Sequence, residues 1–186
     1  AMMTQDFIIS EDLYYWNQNR LGSFIPMFGS LFALLGFSAI TSVVLVQYIL
    51  LSSIVLFISD LLKNKWLSIP LALIVFFPHS SFINQVLVGH PYLAQNFFIC
   101  LLIWILVKRE RFPEKVFYTL IPLVFGLAVW SSEISLGSGL VFVIVFFTEI
   151  KGGLKKSKII YPSLSLIASF GFIAYAKAFS HKTNNF

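Results

Sequence analysis

The sequence predicts an all-α fold: a polytopic membrane helix bundle of about six spans, with a juxtamembrane interfacial helix before them. Three observations predict it. Hydrophobic residues make up 58% of the chain and charged residues 11%, where a soluble domain carries roughly 25% charged residues. The mean hydropathy is +0.87. The apolar runs are continuous and do not alternate, which excludes an outer-membrane barrel and leaves helices that satisfy their own backbone hydrogen bonds in lipid.

The elements follow in chain order. Residues 1–38 read as an acidic outer loop with a juxtamembrane helix, and residues 39–186 as the transmembrane bundle, together one membrane domain. The polar opening ends in Tyr14-Tyr15-Trp16-Asn17-Gln18-Asn19-Arg20, whose aromatics suit the headgroup level. The apolar stretch from Phe24 to Ser59 is too long for one span of roughly 20 residues. It is broken by Pro26, Gly29 and Gly36, so it divides into an interfacial helix near 20–36 and a first span near 39–60. Trp66 to Pro78 is a short second span containing Pro70. Tyr92–Val107, Val116–Trp130, Ile134–Phe147 and Ile159–Ala176 are the third to sixth.

Charge sorts these loops by side. Ten of the 13 Lys and Arg residues lie in three alternate loops. They are Lys63 and Lys65; Lys108, Arg109, Arg111 and Lys115; and Lys151, Lys155, Lys156 and Lys158. Cytoplasmic loops are enriched in Lys and Arg, so these loops are expected inside. The acidic N-terminal loop, the stretch His79 to His90 and the turn at Glu133 are then outside, in a plasma or inner membrane. The net charge of +5 is explained by orientation and anionic headgroups, so nucleic acid is not an expected partner. Residues 1–10 lack the basic start and apolar core of a signal peptide. The chain is therefore expected to follow an upstream helix or to insert with its N-terminus outside.

The groups able to do chemistry collect on the expected outer face. Glu11 and Asp12 are adjacent carboxylates, suited to act as a general base or to hold a divalent cation; the bland alternative is a solvated acidic loop. Arg20 is the lone base on that face before the tail. Its planar fork suits phosphate, although an interfacial Arg also snorkels to headgroups. His79 and His90 flank the second outer loop without a zinc-binding spacing. His90 opens a helix, where anions are favoured. Glu133 follows Trp130-Ser131-Ser132, and ionisable groups at membrane edges are often functional. Trp130 fits either a sugar pocket or an aromatic belt. Cys100 is the single cysteine, so no intramolecular disulfide is possible. No Walker loop, GxGxxG, HExxH, CxxC or GxSxG motif occurs.

Three segments carry a family resemblance. They are Glu11-Asp12-Leu13-Tyr14-Tyr15-Trp16-Asn17-Gln18-Asn19-Arg20-Leu21-Gly22-Ser23-Phe24-Ile25-Pro26, then Gly89-His90-Pro91-Tyr92, then Trp130-Ser131-Ser132-Glu133. An acidic first loop, a broken juxtamembrane helix and short alternating loops resemble the GT-C membrane glycosyltransferases. The protein O-mannosyltransferase and lipid A aminoarabinose transferase group is nearest in style. The resemblance implies inverting transfer of a sugar from a polyprenyl-phosphate donor to an acceptor hydroxyl, with acceptor and sugar unspecified. It implies Asp12 as general base with Glu11 as partner. It also implies phosphate or substrate contacts from Arg20, His90, Glu133, Trp130 and His79. No metal site is assigned, and a divalent cation as cofactor stays open.

The chain departs from the family in lacking a helix before the acidic loop and an acid near His90. The family's later spans are also missing, so the sequence is expected to be the N-terminal part of such an enzyme. The rival expectations are a transporter or lipid-linked oligosaccharide flippase, and a non-catalytic membrane subunit. Transporters keep polar or charged groups near the bilayer midplane; here the span interiors are nearly free of charge, and Gln47, Tyr48 and Asn96 are explained by helix–helix hydrogen bonding.

Overall fold

The computed structural model describes residues 2–8, 12–14, 22–76, 92–138 and 157–179. All regular elements among them are helical: α1 (Met2–Gln5), α2 (Phe24–Leu34), α3 (Ala39–Leu61), α4 (Ser68–Phe76), α5 (Tyr92–Val107), α6 (Glu114–Ser131) and α7 (Ser157–Phe179). Short 3-10 turns lie at Lys65–Leu67, Arg109–Arg111 and Glu133–Ser138. The one extended feature is an isolated antiparallel bridge between Tyr14 and Gly22.

Local chemistry sets the helix ends. Pro26 falls in the first turn of α2, where its missing N–H is not needed. The helix then ends in a Schellman turn: the Gly36 N–H reaches Ala33 O at 2.9 Å and the Phe37 N–H reaches Phe32 O at 3.3 Å. Gly36 sits at φ +91°, the left-handed conformation this turn demands and a side chain resists. Ser38 caps α3, its Oγ accepting the Thr41 N–H at 3.2 Å. At the far end of α3, Lys65 Nζ donates to Ser59 O at 2.8 Å and Asp60 O at 3.2 Å, meeting terminal carbonyls and the negative end of the helix dipole. Pro70 lies in the first turn of α4, so the proline sets where that helix starts. Pro113 precedes α6 with φ −55° and Glu114 occupies its first turn, again favourable to the dipole.

Packing runs from α2 to α3, from α3 to α5, from α5 to α6 and from α6 to α7. Buried residues on α5 recur at Ala94, Phe98, Leu102 and Ile105, one helical stripe. On α6 the buried positions run almost all round, from Phe117 to Ser131, making it the central helix. Shared neighbours fix the directions. Phe57 and Asp60 near the end of α3 meet Trp104 near the end of α5, so these two helices run parallel. Gly126 meets Ser169 and Glu133 meets Lys177, so α6 and α7 also run parallel. Glu133 and Ser157 therefore lie at opposite ends of the bundle.

Among the described residues, three helices are long and apolar enough to cross a membrane by length and composition: Ala39–Leu61, Glu114–Ser131 and Ile159–Ala178. They coincide with the expected first, fourth and sixth spans. The apolar helices Phe24–Leu34, Lys65–Phe76 and Tyr92–Val107 are shorter. The interfacial helix starts at Phe24, later than residue 20, and Ser23 is its N-cap. The segment expected as the second span opens as a 3-10 turn, because Asn64 Oδ1 accepts the Trp66 N–H at 3.1 Å and tightens the entry. The fifth begins at Ile134 within a 3-10 turn; its residues beyond Ser138 lie outside the described residues.

Large apolar side chains cover the outside of the bundle as well as its core. Leu34, Leu56, Trp66, Ile74 and Ile167 are exposed, while Ser42, Gln47 and Gln95 are buried. Polar groups facing the bundle interior and large apolar groups facing outward suit an apolar surrounding.

The α6–α7 contact depends on a missing side chain. A Cβ at Gly126 would lie 2.3 Å from Ser169 Cβ and 2.6 Å from its Oγ. Gly126→Leu is expected to force the helices apart and lower stability by about 1–3 kcal/mol, the usual range for overpacking. Thermal unfolding in detergent micelles reads the loss. Ser169→Gly should restore most of it in a Gly126→Ala background, where the clash is with that one side chain.

Candidate functional site

The two ends of the bundle are chemically different. At one end, Asp60 gathers basic groups. Its Oδ2 lies 3.2 Å from Lys108 Nζ and 3.1 Å from an Arg111 guanidinium nitrogen, and it accepts the Trp104 indole N–H at 3.0 Å. Arg109 stands over the Phe117 ring, 5.2 Å from its centroid. These contacts tie together the loops after α3 and α5, two of the basic loops in the sequence.

The other end is built around Trp130, in the last turn of α6. The last carbonyls of a helix lack intrahelical partners. Here the Gly22 N–H fills that need, donating to Trp130 O at 2.9 Å. The Trp130 indole N–H in turn donates to Leu13 O at 3.0 Å, and the Ser23 N–H reaches the same oxygen at 3.1 Å. Both sides of the Tyr14–Gly22 bridge are thus stitched to the end of α6. Only glycine fits at position 22, since a Cβ there would lie 2.5 Å from Trp130 O and 2.7 Å from its ring. The edges of Phe24 and Phe172 close around the indole, with centroids at 6.4 and 5.2 Å. At 1% exposure, Trp130 meets neither lipid nor an open pocket, and its place is that of an anchor.

This anchor sets Asp12 beside the end of α6. Asp12 is 5% exposed, not on the open surface expected of it. The reason is a local ring: the Ile8 N–H donates to Asp12 Oδ2 and the Asp12 N–H to Ile8 O, both at 2.8 Å. Glu133 follows directly after Ser132, which closes α6, and forms an ion pair with Lys177 near the end of α7. Tyr14 is buried close to Glu133. Burial, and secondarily the Glu133 charge, push its phenol from 10.0 up to about 12, so Tyr14 stays a neutral hydroxyl at physiological pH.

That shift has a measurable sign. A phenol whose pKa is raised on folding adds stability below pH 10.0, and the contribution disappears as pH rises through about 12. A late component at about 12 is expected when phenolate absorbance is followed. Tyr14→Phe should remove this late component and flatten the alkaline loss of stability. A late component that survives the substitution would assign it elsewhere.

The structure thus brings Asp12, Trp130 and Glu133 to one end of the bundle. Glu11, Arg20, His79 and His90 lie outside the described residues. Among the described residues no group of three or more His, Cys, Asp and Glu could hold a metal. Three contributors escaped the sequence reading. In the sequence Tyr14 is one more interfacial aromatic, and neither Gly22 nor Lys177 stands out as a site residue. Lys177 did carry a signal, because it is a base at the end of the bundle that holds Asp12 and Glu133. Comparison with protein families, curated proteins and solved structures returns no match.

Proposed function

We propose that the chain is an integral-membrane glycosyltransferase, or the N-terminal part of one. It transfers a sugar from a polyprenyl-phosphate donor to an acceptor hydroxyl on the outer face. The observation that carries this reading is the docking of the Asp12 segment onto the end of α6 by Trp130 and Gly22, beside Glu133 and away from the basic end. Membrane insertion with six crossings, and the outward orientation of the acidic end, belong to the same proposal. They are supported by the three long apolar helices and by the sorting of charge.

In this mechanism Asp12, with Glu11 as partner, accepts the proton of the acceptor hydroxyl. The hydroxyl oxygen bonds to the anomeric carbon from the face opposite the leaving group. The bond from that carbon to the phosphate oxygen breaks, and its electron pair leaves with the polyprenyl phosphate. Arg20 and His90 stabilise the charge that develops there, while His79 and Glu133 contact the sugar. Trp130 holds the acidic segment in place. Asp12 would exchange its hydrogen bond with the Ile8 N–H for the substrate, since catalytic hydrogen bonds often form fully only in the complex.

The test is transfer of labelled sugar from a polyprenyl-phosphate donor in membranes containing the chain. Release of free polyprenyl phosphate together with a glycosylated acceptor supports the transferase. Donor carried intact to the opposite leaflet would make the protein a flippase.

A further inference from the structure

Three cations from two loops converge on one residue at the basic end. Lys108 Nζ and the Arg111 guanidinium meet the Asp60 carboxylate at 3.2 and 3.1 Å, and Lys65 Nζ meets the Asp60 carbonyl at 3.2 Å. The Trp104 indole N–H holds the same carboxylate at 3.0 Å, which fixes the centre of the group. One carboxylate cannot neutralise three cations, so the spot keeps a surplus of positive charge. Neighbouring acids do not remove it. Among the described residues this end carries Lys63, Lys65, Lys108, Arg109, Arg111 and Lys115 against Asp60, Glu110 and Glu114.

Donors are left over as well. Lys65 uses two of its three ammonium hydrogens on Ser59 O and Asp60 O. Arg111 turns both terminal nitrogens to Asp60, yet its side chain is 55% exposed and has further N–H groups for a second acceptor. An anion can therefore join the group without displacing Asp60. Apolar surface adjoins these donors. Trp66, next to Lys65, is 79% exposed, and Leu67 and Val107 are exposed beside Lys65 and Lys108. A free anion makes no use of that surface. A lipid with a charged headgroup and acyl chains uses both parts, and indoles favour the headgroup level.

We infer that Lys65, Lys108 and Arg111, gathered on Asp60, form a discrete site for the headgroup of an anionic phospholipid, with Trp66 against its chains. In the sequence these bases are an orientation signal spread over two loops; their meeting on Asp60 makes one place of them. Basic pockets between helix ends take acidic headgroups in this way. The site rests on the membrane reading of the chain and is independent of sugar transfer.

The full chain is reconstituted in phosphatidylcholine vesicles doped with phosphatidylglycerol brominated on its acyl chains, or doped equally with brominated phosphatidylcholine. Bromine quenches tryptophan on contact. The acidic lipid should associate at least about fivefold more strongly, the scale of one Lys or Arg at an anionic surface. Trp66→Phe should remove most of the extra quenching. A Lys65→Gln, Arg111→Gln double variant should abolish the preference. Asp60→Asn keeps an oxygen for the Trp104 indole and removes the negative charge, so it should raise the preference. A Lys155→Gln, Lys156→Gln double variant removes as much charge from another basic loop and should leave the preference in place. An equal loss in the two double variants would make the attraction diffuse and overturn the site. So would an unaltered preference in Lys65→Gln, Arg111→Gln. Loss of the extra quenching to inorganic phosphate, at ionic strength matched with chloride, would make the ligand a free anion and overturn the lipid. A chain that fails to enter the vesicles would remove the membrane reading; one that enters and shows no preference removes only the site.

Discussion

Replacing Asp12 by Asn is expected to reduce sugar transfer by about 10²–10⁴-fold, the usual contribution of a positioned general base. The loss should fall on kcat, with KM little changed, because the base acts in the transition state and not in ground-state binding. The fold should survive. An Asn side-chain oxygen can still accept the Ile8 N–H that now meets Asp12 Oδ2 at 2.8 Å, and the volume is the same. Asp12→Glu keeps the base but lengthens its reach past the Ile8 N–H, so it should retain part of the activity. Steady-state rates with a saturating donor separate these outcomes. Activity within a few-fold of the parent in Asp12→Asn would move the base to another residue.

The second large effect is expected from Gly22→Val. Its Cβ would sit 2.5 Å from Trp130 O and 2.7 Å from the indole ring, and a backbone carbonyl at the end of the central helix cannot move aside. The substitution removes the Gly22–Trp130 hydrogen bond and leaves Trp130 O buried without it. Overpacking costs about 1–3 kcal/mol, and an unsatisfied buried acceptor about 1–3 kcal/mol more. That is enough to release the N-terminal segment while α3, α5 and α6 stay packed. Hydrogen exchange should quicken at the Ser23 amide and the Trp130 indole, but not along α5. Transfer should fall with the docking. If the loss acts through Asp12, the Gly22→Val, Asp12→Asn double variant should be no less active than Asp12→Asn alone. Trp130→Phe is the milder companion: it keeps an aromatic ring between Phe24 and Phe172 and removes only the bond to Leu13 O.

The helices were legible where apolar runs meet charged or capping residues. Tyr92–Val107 has the expected bounds because Pro91 precedes it and Lys108 follows. The start of α3 lies at Ala39 because Ser38 offers a side-chain cap. Chain direction and neighbours were not legible. Nothing in a run of apolar residues tells that α6 and α7 run parallel, or that Gly126 is the point where they touch. The candidate end was legible as a set of residue types but not as a construction. Aromatics at the end of a span look alike in sequence, so Trp130 resembled a belt residue or a pocket wall. Its contact with Leu13 spans 117 positions, and Lys177 meets Glu133 across 44. Pairings at that separation leave no local pattern. Gly22 shows the same limit: its role is set by the indole it faces, not by its neighbours in the chain.

The opposite sidedness of the two ends is tested most directly by cysteine labelling in intact cells. With Cys100 replaced by Ser, a single cysteine is introduced by Leu136→Cys at the acidic end or by Lys115→Cys at the basic end, both exposed positions. A membrane-impermeant maleimide should label the Leu136→Cys chain from outside and leave the Lys115→Cys chain unlabelled until the membrane is opened. Labelling of the Lys115→Cys chain alone from outside would place Asp12, Trp130 and Glu133 on the inner face and contradict an outward-facing reaction site.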